Sequence, residues 1–94
     1  MEDTDSINSG YLVESLQGRD KGRIYLVLNK VNNLYVKLVD GTHKKIINPK
    51  LKKLKHIKPL NIKLDKIQHK LSENAKVFDS EIYSAIKKAL ESKS

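Results

Sequence analysis

The stretch RIYLVLNKVNNLYVKLVDG, residues 23–41, decides how this chain folds. Its first part, RIYLVLNK (23–30), is rich in β-branched and aromatic residues, the composition of a strand. Its second part, NLYVKLV (33–39), alternates with period two, which sets Leu34, Val36 and Leu38 on one face and Tyr35, Lys37 and Val39 on the other. Asn32-Asn33 lies before this strand and Asp40-Gly41 after it, and such residues accept the positive φ of hairpin turns. The stretch therefore predicts antiparallel strands joined by tight turns.

Working outward, YLVESL (11–16) predicts a strand on the N-terminal side. Between it and the next strand lies LQGRDKGR (16–23), where Gly18 and Gly22 flank charged residues. Such a loop suits a tight connection, with Asp20 accepting the turn's N–H groups. It also suits an anion site, if backbone N–H groups point outward among Arg19, Lys21 and Arg23. On the C-terminal side, THKKIIN (42–48) predicts a fourth strand stopped at Asn48-Pro49, and LKHI (54–57) a short fifth ended by Pro59. Five short strands in about 50 residues predict a mainly β fold, a small SH3-like barrel whose closure hides its edges.

Residues 1–9 are polar and without apolar period, and are expected to form a flexible acidic tail; residues 10–60 form the barrel and residues 61–94 a helical extension. In that extension a short helix is expected near 64–72. A longer one is capped by Asp79 or Ser80, with Ile82, Ile86, Ala89 and Leu90 on the face that docks on the barrel.

The chain has 94 residues and a net charge of +8. From Gly41 through Leu64 there is no acidic residue, while Lys44, Lys45, Lys50, Lys52, Lys53, Lys55, Lys58 and Lys63 are all basic, so this segment carries the entire excess. Pro49 and Pro59 stiffen it, and Leu51, Leu54 and Ile57 are expected to pin it to the core, which makes a fixed polyanion-binding surface. His43 and His56 add charge or hydrogen bonds to that surface. Replacing Lys52, Lys53 and Lys55 together by Glu is expected to weaken binding and leave the barrel folded.

Several chemistries are excluded. The chain has no cysteine, and its three histidines stand thirteen residues apart with no cysteine or carboxylate pair beside them, so neither a disulfide nor a metal site is expected. There is no G-x-S-x-G, no Walker loop and no paired carboxylates in apolar surroundings, so no enzyme and no cofactor are expected. The acidic opening MEDTDS is unlike a secretory leader, no apolar run is long enough for a bilayer, and Asp79, Glu81 and Glu91 offset the lysines of the last helix. The expected setting is the cytoplasm, without a membrane partner.

Val13, Gly18, Asp20, Lys21, Gly22 and Val27 fall at the characteristic places of a KOW motif, with Tyr25 where the commonest version has a second glycine. GRDKGR, VDG, NPK and LKHIKP, in that order and followed by a C-terminal helix, resemble the small bacterial KOW-domain RNA-binding proteins related to eukaryotic and archaeal-type large-subunit ribosomal proteins. The resemblance implies a non-enzymatic, ribosome-associated protein of translation that binds structured, ribosomal RNA. The residues expected to meet that RNA are Arg19, Lys21, Gly22, Arg23, Lys44, Lys45, Lys50, Lys52, Lys53, Lys55, His56 and Lys58. The alternative function is a protein interaction module that binds an acidic partner.

Overall fold

Alternation in the central strands splits their apolar residues into two sets, and the protein buries both. A computed structural model describes residues 7–93, without the side chain of Lys93. The strands are β1 (Tyr11–Ser15), β2 (Ile24–Lys30), β3 (Tyr35–Val39), β4 (Lys50–Lys53) and β5 (Ile57–Lys63). They form one five-stranded antiparallel sheet of order β4-β3-β2-β1-β5. Val13, Tyr25, Val27, Val36, Leu38 and Ile57 pack together with Ile7 on one face. Leu12, Leu26 and Val39 face the other way, where Ile67 of α1 (Asp65–Ser72) and Ile82 and Ile86 of α2 (Asp79–Lys93) cover them. Each such side chain contributes roughly 1.5–3 kcal/mol by leaving water. No helix among the described residues is long and apolar enough to cross a membrane.

The two helices and the three central strands lie close to their expected positions, and Val36 and Leu38 are buried as the alternation requires. Leu34 departs from that pattern: it precedes β3 and is 66% exposed. The turn before β3 does not use positive φ. Instead the Asn32 carboxamide oxygen accepts the backbone N–H groups of Leu34 and Tyr35 at 2.8 and 3.0 Å, an Asx turn. The expected flexible acidic tail does not include residues 7–9. Residues 1–6 lie outside the described residues, but Ile7 is buried in the core and Ser9 Oγ donates to the Leu28 carbonyl at 2.6 Å.

Residues 42–48 are not a strand, because carboxylates take amides that a ladder would need. Asp40 Oδ1 accepts the N–H groups of Thr42 and Lys44, curling the chain, and Asp79 Oδ1 accepts that of Ile46 at 2.8 Å. Asp79 thus ties this loop to α2 and is the helix's first residue, so the capping position falls on Phe78, one residue before the expected cap. Ile82 N–H bonds to the Phe78 carbonyl, and Glu81 reaches back to Phe78 N–H, half of a capping box.

Pro59 does not end the fifth strand. Residues Leu54–His56 form a 3-10 turn, and β5 runs from Ile57 through Pro59 to Lys63. The proline is accommodated because β5 pairs only with β1, leaving its other side without a ladder to supply. Asn61, at φ 60°, forms the bulge that shifts the register between Tyr11 and Val13.

Gly41 has φ +86°, and a Cβ there would collide with the Asp79 carbonyl and Tyr83 at the start of α2. Gly22 has φ +91° with open space around it. Gly22→Ala is therefore expected to cost only the left-handed penalty of about 1–2 kcal/mol, and Gly41→Ala distinctly more, because α2 must also move. Urea unfolding of the two variants beside the parent checks the order.

Candidate nucleic-acid interface

The pairing of β4 with β3 puts two lysines on the inner face of the sheet. Lys52 lies opposite Val36 and Lys50 opposite Leu38, so Lys50 and Lys52 share the side of those buried residues while Leu51 and Lys53 point outward. Leu51 is 55% exposed, contrary to its expected role as an anchor; Leu54 and Ile57 do pack on the core. An ammonium can lie inside only if it is paired, and the partner comes from the loop between β1 and β2. Lys52 Nζ donates to Asp20 Oδ1 at 3.0 Å and to the Gln17 carbonyl at 2.7 Å.

Asp20 is fully engaged. Ser15 Oγ donates to Oδ1 and the Tyr25 hydroxyl to Oδ2, both at 2.8 Å, and Lys50 Nζ stands 3.7 Å from Oδ2. Burial pushes the Asp20 carboxyl up, but Lys52, Tyr25, Ser15 and Lys50 together outweigh it and hold the group well below the usual carboxylate range. Burial and the adjacent Asp20 carboxylate push the Tyr25 hydroxyl up to about 12, partly offset by Arg23. Asp20 was expected to accept turn N–H groups; it accepts hydroxyl and ammonium donors instead. Tyr25 supplies one of them.

This network changes the assignment of several candidate residues. Lys52 is 8% exposed and held by Asp20, which removes it from any phosphate-binding set. Replacing it by Glu would place two carboxylates together in the interior, so the triple substitution containing Lys52 would unfold the protein and not report on binding. Gly22 is likewise structural: its N–H donates to the Ser15 carbonyl at 2.8 Å, while Lys21 and Arg23 N–H groups bond to Gly18 and Asp20 carbonyls. Those three amides are internally bonded and are not offered to an anion.

Arg19 and Lys21 are exposed on that loop. Leu16 N–H donates to the His56 carbonyl at 2.8 Å, which joins the loop to the 3-10 turn. The turn in turn carries Lys55 and His56 and follows Lys53, so Arg19, Lys21, Lys53, Lys55 and His56 occupy connected backbone, with exposed Lys58 just beyond in β5. Partial burial first, then Lys55, Lys53 and Lys52, lower the His56 pKa below its ordinary 6.5, a sign of local positive potential. Lys44, Lys45 and Arg23 fall elsewhere. Lys44 and Lys45 sit on the 40–48 loop tied to α2, and Arg23 borders a recess with His43 and Lys87. Sequence reasoning missed the recess lined by Asn33, Leu34, Tyr35, Lys53, Leu54 and Lys55. Its signal was the outward phase of Tyr35 in the alternating strand, since Tyr35 lies directly opposite Lys53.

No protein-family model matches the chain, and neither does any curated protein.

Lys52→Met leaves Asp20 buried without its main partner and is expected to cost about 3–5 kcal/mol, whereas Lys53→Met changes stability by roughly 0.5 kcal/mol or less. Denaturant unfolding at neutral pH separates them. The lowered Asp20 pKa stabilises the fold at all pH above the unfolded value of 3.8, and that contribution fades as pH falls toward the folded value. The stability gap between the parent and Asp20→Asn should therefore be constant near neutrality and shrink below about pH 4. The raised Tyr25 value acts at the other extreme: its contribution is whole below 10.0 and lost as pH rises through about 12, so Tyr25→Phe should remove the latest tyrosinate absorbance step.

Proposed function

We propose that this protein is a non-enzymatic RNA-binding module of the KOW type, with its sheet curled as an SH3-like barrel, that associates with structured ribosomal RNA. The observation that carries the reading is the linkage of the 16–23 loop to the 3-10 turn, which groups Arg19, Lys21, Lys53, Lys55 and His56 on backbone fixed by the Asp20–Lys52 pair. Cations held on rigid backbone lose little entropy when they meet phosphates, and counterion release supplies the free energy. With the amides of residues 21–23 internally bonded, the charged side chains carry the phosphate contacts, which position RNA without reading its bases. The Arg19 guanidinium pairs with phosphate in bidentate fashion, and the lysines act as point charges.

Binding of a ribosomal RNA stem-loop is expected to weaken with salt at a log-log slope of about 3–6. Lys53→Ala, Lys55→Ala and Lys58→Ala combined should lower that slope by roughly 2–3 and leave the fold intact. Fluorescence anisotropy across a salt series measures both, and an unchanged slope in the folded triple variant would reject this surface. The polyanion should also raise the lowered His56 pKa, so affinity increases as pH drops through the His56 range and levels off once the free protein is protonated. Nuclear magnetic resonance titration of the His56 ring with and without RNA tests the direction.

A further inference from the structure

The recess beside Tyr35 has a chemistry that the lysine surface alone does not explain. It measures about 320 Å³ and is bounded by Asn33, Leu34, Tyr35, Lys53, Leu54 and Lys55. This is the lower end of the size range of small-ligand sites, which combine apolar walls with a few polar groups. The Leu54 N–H donates to the Leu34 carbonyl at 2.8 Å, so the two sides of the recess are stapled together by backbone. Tyr35 is half-buried, and its hydroxyl is bonded to no other described side chain, unlike that of Tyr25, which Asp20 holds. Leu34 remains 66% exposed, an apolar wall with no described residue covering it.

We infer that this recess takes a single unpaired nucleobase of the bound RNA, stacked against Tyr35 and Leu34, with Lys53 and Lys55 on the flanking phosphates. The inference rests on the RNA-binding reading and adds to it a preference for RNA that exposes a base. Three features combine in favour of a nucleotide over an apolar peptide. The aromatic residue supplies a face for a planar heterocycle, the two ammonium groups border the same recess, and none of its lining residues is acidic. Lys53 lies directly opposite Tyr35 across the β3–β4 pair, so a charge and a stacking surface are held a strand apart.

The test compares one RNA stem carrying a single bulged nucleotide with the same stem fully paired. The parent should bind the bulged stem roughly 5- to 150-fold more tightly, the range that stacking of one base on one aromatic residue provides. Tyr35→Ala should abolish that preference and keep the affinity for the paired stem; Tyr35→Phe should retain it. The chain contains no tryptophan. Tyr35→Trp therefore introduces one fluorophore, whose emission should be quenched by the bulged stem and not by the paired one, a readout independent of whether Tyr35→Ala folds. Equal binding of both stems with unchanged Trp emission would overturn the stacking site while leaving the RNA reading in place. Failure to bind either stem at physiological salt would overturn both.

Discussion

A carboxylate in a hairpin loop and an ammonium in an outer strand, Asp20 and Lys52, fix how the sheet is assembled. The tetrapeptide Lys50–Lys53 contains one leucine, and hydrophobicity alone would turn Leu51 inward. Such a strand would differ in register by one residue, with every side chain on the opposite face. The Asp20 carboxylate opposes that slip because it would otherwise be buried without its strongest partner, which is more costly than leaving one leucine half in water. The pair contributes little net stability relative to an apolar equivalent, but it selects one register among competitors. Ser15 and Tyr25 complete the arrangement by occupying the remaining acceptor positions of the carboxylate.

The same pair determines which cations remain for a ligand. By drawing Lys52 inward and holding Gln17 through its carbonyl, it sets the loop against the strand and the turn that follows it. Arg19 and Lys21 then project from a loop whose amides at 21–23 are internally bonded, and Lys53 and Lys55 project from a strand end and a 3-10 turn. Side chains mounted in this way meet a ligand with most of their backbone entropy already lost in folding.

The sequence is legible where one periodicity dominates and no distant partner intervenes. Val36 and Leu38 follow the two-residue period of β3, and Ile82 and Ile86 follow the helical period of α2, so burial can be read directly from spacing. Residues 42–48 look like a strand because they are β-branched and follow a turn, yet Asp79, 33 residues from Ile46, takes an amide the ladder would need. Nothing local announces such a partner. Lys52 was similarly misleading: its charge suggested exposure, and only its pairing opposite Val36 places it inside. Pro59 marks a stop in a central strand but not at the margin of the sheet. The candidate surface divides along the same line, since its exposed lysines could be read from charge, whereas the Tyr35 recess exists only once β3 and β4 are paired.

The position of β4 at the end of the strand order has a consequence for self-association. Four residues of unpaired backbone beside an exposed leucine form a template on which a second copy could add a strand. Every other residue in that segment is a lysine, two of them on the inner face, and two copies approaching edge to edge would bring like charges into register. Lys53, the exposed lysine of the segment, thus opposes the addition of a second copy, while Lys52 serves the interior.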